Sequence, residues 1–188
     1  MLGVRLANHS DLEAATKVLA SAFADYAWTR WVLPTDGYQE RLEEIQGLYL
    51  TYAFENGIIV VDDQVRAVAA FLPPNAPAPS DALQQRIAEL HGSRLEALIS
   101  LDLPQTPEES WTLETVGVGP AFQRLGLGTA VLSHALAHID AQDAGVALET
   151  SDERNVRLYE RLGFKTTEVT TIPDGPVVFS MARPAKSA

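Results

Sequence analysis

The sequence predicts an α/β fold in which helices flank a mixed, twisted sheet of about six to seven strands. Two observations predict it. In the first half of the chain, β-rich runs at 57–61 and 65–72 follow one another directly, as antiparallel strands do. From 111 to 161, strand and helix patterns alternate, and a helix that crosses over between two strands makes them parallel. We therefore expect a single domain over residues 1–188, with a sheet that is antiparallel early and parallel at the central crossover.

The first half opens with a short alternating strand, Val4 to Leu6, and a helix that we expect Ser10 to cap and that ends near Phe23. Residues 23–31 are rich in aromatic side chains but show no period, which predicts a loop or short helical turns. A second helical pattern covers 38–54 and stops at an Asn-Gly pair. The two β-rich runs then form a hairpin.

The second half begins after a proline-rich connector, Pro73 to Ser80. A helical pattern over 81–101 is interrupted by Gly92, and an acidic loop covers 104–110. The remaining predicted elements are a strand at 111–118, a helix at 125–142, a strand at 146–150, a helix at 154–161 and strands at 164–172 and 177–182.

Composition excludes several classes of function. The chain has no cysteine, so it can form no disulfide, thiolate metal site or acyl-cysteine intermediate. Its formal net charge of -11 argues against a nucleic-acid surface and leaves room for a cationic small molecule. No apolar run approaches the length of a membrane span. Polar residues from Arg5 to Asp11 occur where a signal peptide would have its apolar segment, so none is expected. We expect a cytoplasmic protein with no membrane partner, either a monomer or a homodimer.

A glycine-rich turn, Gln123 to Thr129, lies between the strand at 111–118 and the following helix. Glycines let the backbone approach a phosphate, and free N–H groups at a helix start point toward it. No Lys-Ser or Lys-Thr follows Gly128, which rejects a nucleotide P-loop, and the dinucleotide pattern is absent. On spacing alone the turn could simply pack the helix against the sheet.

Three segments together resemble the GNAT superfamily of acetyl-CoA-dependent N-acetyltransferases. They are Val116-Gly117-Val118-Gly119-Pro120, Gln123-x-x-Gly126-x-Gly128, and Asn155 to Phe164 with its Tyr-Glu-Arg-Leu-Gly-Phe ending. Within that superfamily the chain is most similar to the puromycin-acetylating members, nearly from end to end. Further shared runs are Val4 to Ala7, Ala22 to Tyr26, Gly92 to Leu95, Leu148 to Ser151 and Pro173 to Pro176.

The resemblance implies a GNAT fold and a site for coenzyme A. The pyrophosphate would be held by the backbone N–H groups of Gln123, Arg124, Leu125, Gly126, Leu127, Gly128 and Thr129. The pantetheine arm would pair like an added strand with Val116, Gly117 and Val118, and Asn155 would contact the same arm. Leu125 departs from the family, whose loops often carry Lys or Arg at that position.

The resemblance also assigns catalytic roles. Tyr159 matches the family's general acid, although its position also suits a tyrosine that only packs the last helix. Glu149 is the first choice for the general base and Glu114 the second, and each would need burial or a water relay to work near neutral pH. Alternatively, both carboxylates bind the cationic amine or solvate strand ends.

We expect an amine substrate to contact the aromatic segment and the second helix. The predicted substrate-binding residues are Phe23, Asp25, Tyr26, Trp28, Trp31 and Tyr49. The predicted function is direct transfer of acetyl from acetyl-CoA to a primary amine of a small molecule, plausibly puromycin-like. The alternatives are another amine (an amino acid derivative, a polyamine or a protein N-terminus) or an acyl-CoA sensor without turnover. His134 and His138 share one helix face, but we expect solvation and no metal.

Overall fold

The computed structural model describes residues 3–187, which form a seven-stranded sheet in the order β1-β2-β3-β4-β5-β7-β6. The strands are β1 (Val4–Leu6), β2 (Ile58–Asp62), β3 (Ala67–Leu72), β4 (Trp111–Val118), β5 (Val146–Thr150), β6 (Lys165–Thr171) and β7 (Val177–Arg183). The helices are α1 (Leu12–Phe23), α2 (Ala27–Val32), α3 (Tyr38–Asn56), α4 (Asp81–His91), α5 (Leu95–Ile99), α6 (Leu127–Asp140) and α7 (Glu153–Arg161).

Strand directions confirm the predicted fold class. The pairs from β1 to β4 are antiparallel, β4 and β5 are parallel, and β7 lies antiparallel between β5 and β6. The parallel pair is the one that α6 connects, because a strand that returns in the same direction needs a crossover. The sheet is therefore mixed, with its only parallel pair among the described strands at the central crossover.

Helices cover the two faces of the sheet separately. On one face, α6 buries Leu132 and Ile139 completely against β2 and β3. On the other, α1 and α3 bury Leu19 and Leu50. Strand β3 lies between these layers, and its residues 67–71 are 0% exposed, which explains its small, wholly apolar sequence.

The structure corrects the predicted start of the first helix. Asn8, not Ser10, is the cap: its side chain accepts from the Ser10 N–H at 2.9 Å and its own N–H donates to Asp11 at 2.8 Å. This capping box begins a 3-10 turn at His9–Asp11, and α1 follows at Leu12. Ser10 is a donor to the cap rather than its acceptor.

Two further segments were predicted only in outline. Residues 27–32 do form a short helix, one of the two forms expected for the aromatic segment. The helix expected over 81–101 divides at Gly92, which has a φ of +47° and begins a 3-10 turn between α4 and α5. Of the described helices, none has the length and apolar character that crossing a bilayer requires.

Candidate functional site

Strands β4 and β5 separate soon after they start. Their parallel pairing consists of Trp111 with Val146 and Thr112 with Ala147. On the opposite edge, β4 stays paired with β3 as far as Val118. Beyond Thr112, the β5-facing edge of β4 therefore borders a gap in the sheet.

The backbone of Val116 and Val118 faces this gap. The Gly119 N–H donates to the Arg66 carbonyl at 2.8 Å, so Gly119 points toward β3. Because the direction alternates along a strand, Gly117 also points toward β3, while Val116 and Val118 point away from it. The Gln123 side-chain amide donates to the Val118 carbonyl at 3.5 Å, which agrees with this orientation. The gap thus offers an open strand edge.

A β-bulge aims Glu114 at the same gap. Ala70 pairs with Thr115 and Phe71 with Leu113, so Glu114 is the extra residue on β4. A bulge interrupts the alternation of side chains and commonly redirects one of them. Glu114 is exposed between the buried Leu113 and Thr115.

A cavity of about 610 Å³ lies over the gap and the adjoining face of β5, β7 and β6. Its walls come from α1, α2, α3, the end of α4 and the loop 104–107. Carboxylates line it at Glu114, Glu149 and Glu168, and within residues 3–187 no Lys or Arg lines it. The cavity therefore suits a cationic or neutral polar ligand better than an anion.

The two predicted bases have pKa values above their ordinary range. Burial raises the pKa of both Glu114 and Glu149. At Glu149 a 3.4 Å hydrogen bond from the Ser180 hydroxyl lowers the pKa and so opposes part of this shift. The side chains of Glu114 and Glu149 have accessible surface because they line the cavity. Protein surrounds that cavity, so the two carboxylates are nevertheless poorly solvated. A raised pKa brings a carboxylate closer to what proton abstraction near neutral pH requires.

Tyr159 on α7 reaches the cavity from the other side of the gap. The residue is only 4% exposed, and its ring packs edge-to-face against Phe164 with centroids 5.7 Å apart. Tyr159 is one of the residues that line the cavity, and its hydroxyl has no hydrogen-bond partner within residues 3–187. Burial, followed by Tyr26, raises its pKa, so the phenol stays protonated. Burial thus keeps the hydroxyl proton on Tyr159 and makes the phenol a weaker acid than a free tyrosine.

Tyr26 connects the aromatic segment to the end of β5. Its hydroxyl lies 2.9 Å from the Thr150 hydroxyl and accepts the Ser151 N–H at 2.7 Å. Asn155 donates to the same Thr150 oxygen at 3.4 Å. Tyr26 lines the cavity, but these contacts also give it a structural role, since they hold one cavity wall to the start of α7.

The loop at 123–129 contains two residues in the left-handed region and leads into α6. Arg124 and Gly126 have φ values of +65° and +79°, and Gly126 precedes the first residue of α6. Outside the helices and strands, no main-chain hydrogen bond among the described residues has an N–H from 123 to 129 as its donor. Leu127, Gly128 and Thr129 belong to the first turn of α6, whose N–H groups have no acceptor within the helix. A Cβ on Gly128 would lie 3.4 Å from Val118, so that glycine also brings α6 close to β4. Packing and free donors therefore coexist here.

The structure brings most of the predicted site residues together, but not all. Phe23, Tyr26, Trp28, Tyr49, Glu114, Val116, Glu149, Asn155 and Tyr159 line the cavity. Gly117 and Val118 follow Val116 along β4, and the loop at 123–129 adjoins Val118 through Gln123 and Gly128.

Asp25 and Trp31, which were predicted to contact the substrate, do not line the cavity. Asp25 is 94% exposed at its side chain and pairs with Arg30 at 3.0 Å. Trp31 packs on Trp28, takes the Arg94 guanidinium over its ring at 4.9 Å, and faces Gly175. Asp25 lies in the turn between α1 and α2, whereas Trp31 lies on α2, where successive side chains point in different directions.

Sequence reasoning missed polar residues of the opposite wall. His91 is 3% exposed, and its Nδ1 lies 2.8 Å from the Val32 carbonyl, to which it donates because a carbonyl oxygen can only accept. Gln46, Thr115 and Ser151 line the cavity with a buried oxygen that lacks a partner. Gln46 could have been predicted from the sequence, because it lies three residues before Tyr49 on the same face of α3. The only signal for His91 is that it directly precedes Gly92, which interrupts the helical pattern.

His134 and His138 lie exposed on α6, as expected. Within residues 3–187 no group of three or more His, Asp and Glu side chains could hold a metal ion.

Comparison with known proteins identifies the family. The chain matches the model of the Acetyltransferase (GNAT) family over residues 31–164, more than half of its length. A solved structure described as histone acetyltransferase HPA2 and related acetyltransferase, from Corynebacterium glutamicum, is 25% identical with a TM-score of 0.78, and the match covers 98% of this chain and 97% of that one.

Two more distant structures share the fold. The ribosomal-protein-S18-alanine N-acetyltransferase from Escherichia coli is 21% identical with a TM-score of 0.58, covering 100% of this chain and 96% of that chain. A mosquito arylalkylamine N-acetyltransferase like 5b is 14% identical with a TM-score of 0.59, covering 98% and 100%. The gap between β4 and β5, the glycine turn before α6 and the family match agree: the chain belongs to the GNAT family of acetyltransferases.

Proposed function

We propose that this acetyltransferase moves an acetyl group from acetyl-CoA to a primary amine of a small molecule. The observation that carries the proposal is the position of one cavity. It joins the open edge of β4 to two carboxylates and an aromatic wall, and in residues 3–187 no cationic Lys or Arg lines it. Such a cavity favours an amine with an apolar or aromatic body.

Coenzyme A fits the residues of the donor side. Val116 and Val118 would pair with an extended arm in the gap, and Asn155 lies at its end. The N–H groups of 123–129 would hold the pyrophosphate, with the dipole of α6 behind them. When bound, acetyl-CoA supplies the acetyl thioester. The GNAT family as a whole uses this donor.

The protein's own groups would manage two protons. Glu149 remains our first choice as the base and Glu114 the second; either accepts the amine proton directly or through a water molecule. Tyr159 would give its hydroxyl proton to the departing sulfur, and its raised pKa keeps that proton in place until then. Because the chain has no cysteine, an acyl-cysteine intermediate is excluded, and direct transfer within a ternary complex is the route that we propose.

A puromycin-like aminonucleoside is the specific substrate that we propose. The support is the resemblance of the sequence to the puromycin-acetylating members, together with a cavity of about 610 Å³ that Phe23, Trp28 and Tyr49 line. A cavity of that size is within the range that holds drug-sized ligands.

The test is release of free thiol from acetyl-CoA in the presence of an amine panel. The panel contains puromycin, an arylalkylamine, a polyamine, an amino acid amide and a peptide with a free N-terminus. Release with puromycin at the highest kcat/KM supports the full proposal, whereas release with another amine supports acetyl transfer and contradicts the specific substrate. Coenzyme A binding without release for any amine would contradict the enzymatic proposal in favour of a sensor.

A further inference from the structure

The Tyr26 hydroxyl lies where the aromatic wall of the cavity meets the end of β5. It accepts the Ser151 N–H at 2.7 Å and lies 2.9 Å from the Thr150 hydroxyl. The side-chain amide of Asn155 donates to the same Thr150 oxygen at 3.4 Å. All four residues line the cavity. The chain therefore holds the phenol oxygen in place at the cavity wall.

The hydrogen bonds of Thr150 decide which of the two hydroxyls is the donor. Thr150 Oγ1 accepts from the Asn155 amide and from the Asp152 N–H, both at 3.4 Å, and a hydroxyl oxygen has two lone pairs to offer. Thr150 is only 4% exposed, and among the hydrogen bonds of residues 3–187 the Tyr26 oxygen is the only acceptor for its hydrogen. Thr150 therefore donates to Tyr26 and does not accept from it.

This arrangement leaves the hydrogen of the Tyr26 hydroxyl free. The phenol oxygen accepts from the Thr150 hydroxyl and from the Ser151 N–H, and accepting two bonds polarises the O–H group toward donation. In the part of the chain that the structure describes, no acceptor is left for this hydrogen. Tyr26 is half-buried and lines the cavity, so it offers one hydrogen-bond donor to a bound ligand.

The position of this donor indicates which ligand atom it meets. Asn155 and Tyr159 are four residues apart on α7 and share one face of the helix. Under the proposed function, Asn155 contacts the pantetheine arm and Tyr159 protonates the sulfur. The bond through Thr150 places the Tyr26 hydroxyl on the Asn155 side of the cavity, where the acyl end of acetyl-CoA is proposed to lie. A carbonyl oxygen can only accept, so it suits a free O–H donor.

We propose that Tyr26 is a further catalytic residue, whose hydroxyl donates a hydrogen bond to the carbonyl oxygen of the acetyl group. This inference rests on the proposed function, from which it takes acetyl-CoA as the ligand. Tyr26 stabilises the negative charge that develops on that oxygen while the amine attacks, and it keeps its own proton throughout. A donor placed where charge develops is typically worth about 10²–10³-fold in kcat.

The experiment compares acetyl-CoA with coenzyme A, which lacks the acetyl carbonyl, in the absence of any amine. Calorimetry gives both Kd values for the wild type and for Tyr26→Phe. We expect the variant to bind acetyl-CoA about fivefold more weakly, as expected for one lost hydrogen bond, and coenzyme A less than about twofold more weakly. With acetyl-CoA isotope-labelled at the acetyl carbonyl carbon, the NMR resonance of that carbon should lie further downfield in the wild-type complex. In the thiol-release assay, kcat should fall about 100-fold.

Two controls separate this donor from a structural role. Thr150→Val removes the contact to Asn155 but leaves the Tyr26 hydroxyl, so it should weaken acetyl-CoA and coenzyme A by the same factor. Tyr52→Phe removes a hydroxyl that bonds the Pro77 carbonyl outside the cavity, and it should change neither Kd.

Equal weakening of the two ligands by Tyr26→Phe, or a carbonyl resonance that is the same in the wild type and the variant, would overturn the proposal. A raised KM for the amine with an unchanged Kd for acetyl-CoA would also overturn it, because the hydroxyl would then bond the amine substrate. Selective loss of acetyl-CoA affinity in a protein that releases no thiol with any amine would support Tyr26 as the carbonyl donor and contradict the proposed function.

Discussion

Removing the Tyr159 hydroxyl tests the proposed acid with little disturbance of the fold. The hydroxyl makes no hydrogen bond within residues 3–187, and the ring contact with Phe164 at 5.7 Å is available to phenylalanine as well. Tyr159→Phe should therefore change the free energy of unfolding by less than about 0.5 kcal/mol. It should not weaken acetyl-CoA binding more than about twofold, since the proposed contacts are made mainly by backbone groups.

The catalytic effect should be much larger. A positioned general acid typically contributes about 10²–10⁴-fold, so we expect kcat to fall at least about 100-fold, equivalent to about 2.7 kcal/mol in the barrier. Thiol release gives kcat, calorimetry gives the Kd of acetyl-CoA, and thermal unfolding checks the fold. Tyr52→Phe is the control, because its hydroxyl bonds the Pro77 carbonyl outside the cavity. A Tyr159→Phe enzyme with wild-type kcat would refute the role of this phenol.

Three further predictions concern the base, the turn and the fold. If Glu149 is the base, kcat/KM should fall as the pH drops through a pKa above the ordinary value near 4.5. Glu149→Gln should remove this fall at low pH, whereas Glu114→Gln should leave it in the pH profile. The opposite pattern in the two pH profiles would assign the base to Glu114. Gly126→Ala should lower the free energy of unfolding by about 1 kcal/mol, because a φ of +79° strains an L-residue even though its Cβ has open space. Calorimetry should also show weaker acetyl-CoA binding. An unchanged Kd would argue against the turn as the pyrophosphate site. Arg183→Met should cost about 2 kcal/mol in denaturant unfolding, since Arg183 donates to the half-buried Asp140 at 2.7 and 2.9 Å. A loss below about 1 kcal/mol would show that the ion pair of Asp140 with Lys186 suffices. The pKa of Asp140 is lowered, first by Arg183, so this stability is present above the unfolded pKa and is lost as pH falls through the folded one.

Local pattern predicted the elements well because it reflects local physics. The alternation of strand and helix from 111 to 161 predicted a parallel pair, and β4 with β5 is that pair. The start of α1 was misplaced because Asn8, Ser10 and Asp11 are all good capping residues. Which of these residues caps the helix depends on Asp11, which also pairs with Arg5 on β1 at 2.6 Å. The spacing of residues in the sequence does not reveal that contact.

The site was predicted in part, for a different reason. A family resemblance carries backbone motifs, and the structure has Val116 in the cavity lining and the turn at 123–129 at the start of α6. It does not carry side-chain direction within a short irregular segment, so Asp25 and Trp31 could not be separated from Phe23 and Trp28. Gln46 was missed because an unpaired buried oxygen is a property of the packed molecule and not of the sequence.

The length of the gap between β4 and β5 could not be predicted from the sequence either. The apolar run of β5 gives no sign that its pairing with β4 ends at Ala147. Nor does the run 111–118 mark Glu114 as a bulge, because that depends on the register with Ala70 and Phe71. These two long-range features create the cavity and place a carboxylate in it.

The most direct test of the central claim is the mass of the amine after incubation with acetyl-CoA and the protein. The proposal predicts that puromycin, or another primary amine of the panel, gains one acetyl group on nitrogen in step with thiol release, and that the protein itself gains none. An acetylated protein without an acetylated amine, or coenzyme A bound with every amine unchanged, would contradict direct transfer to a small molecule.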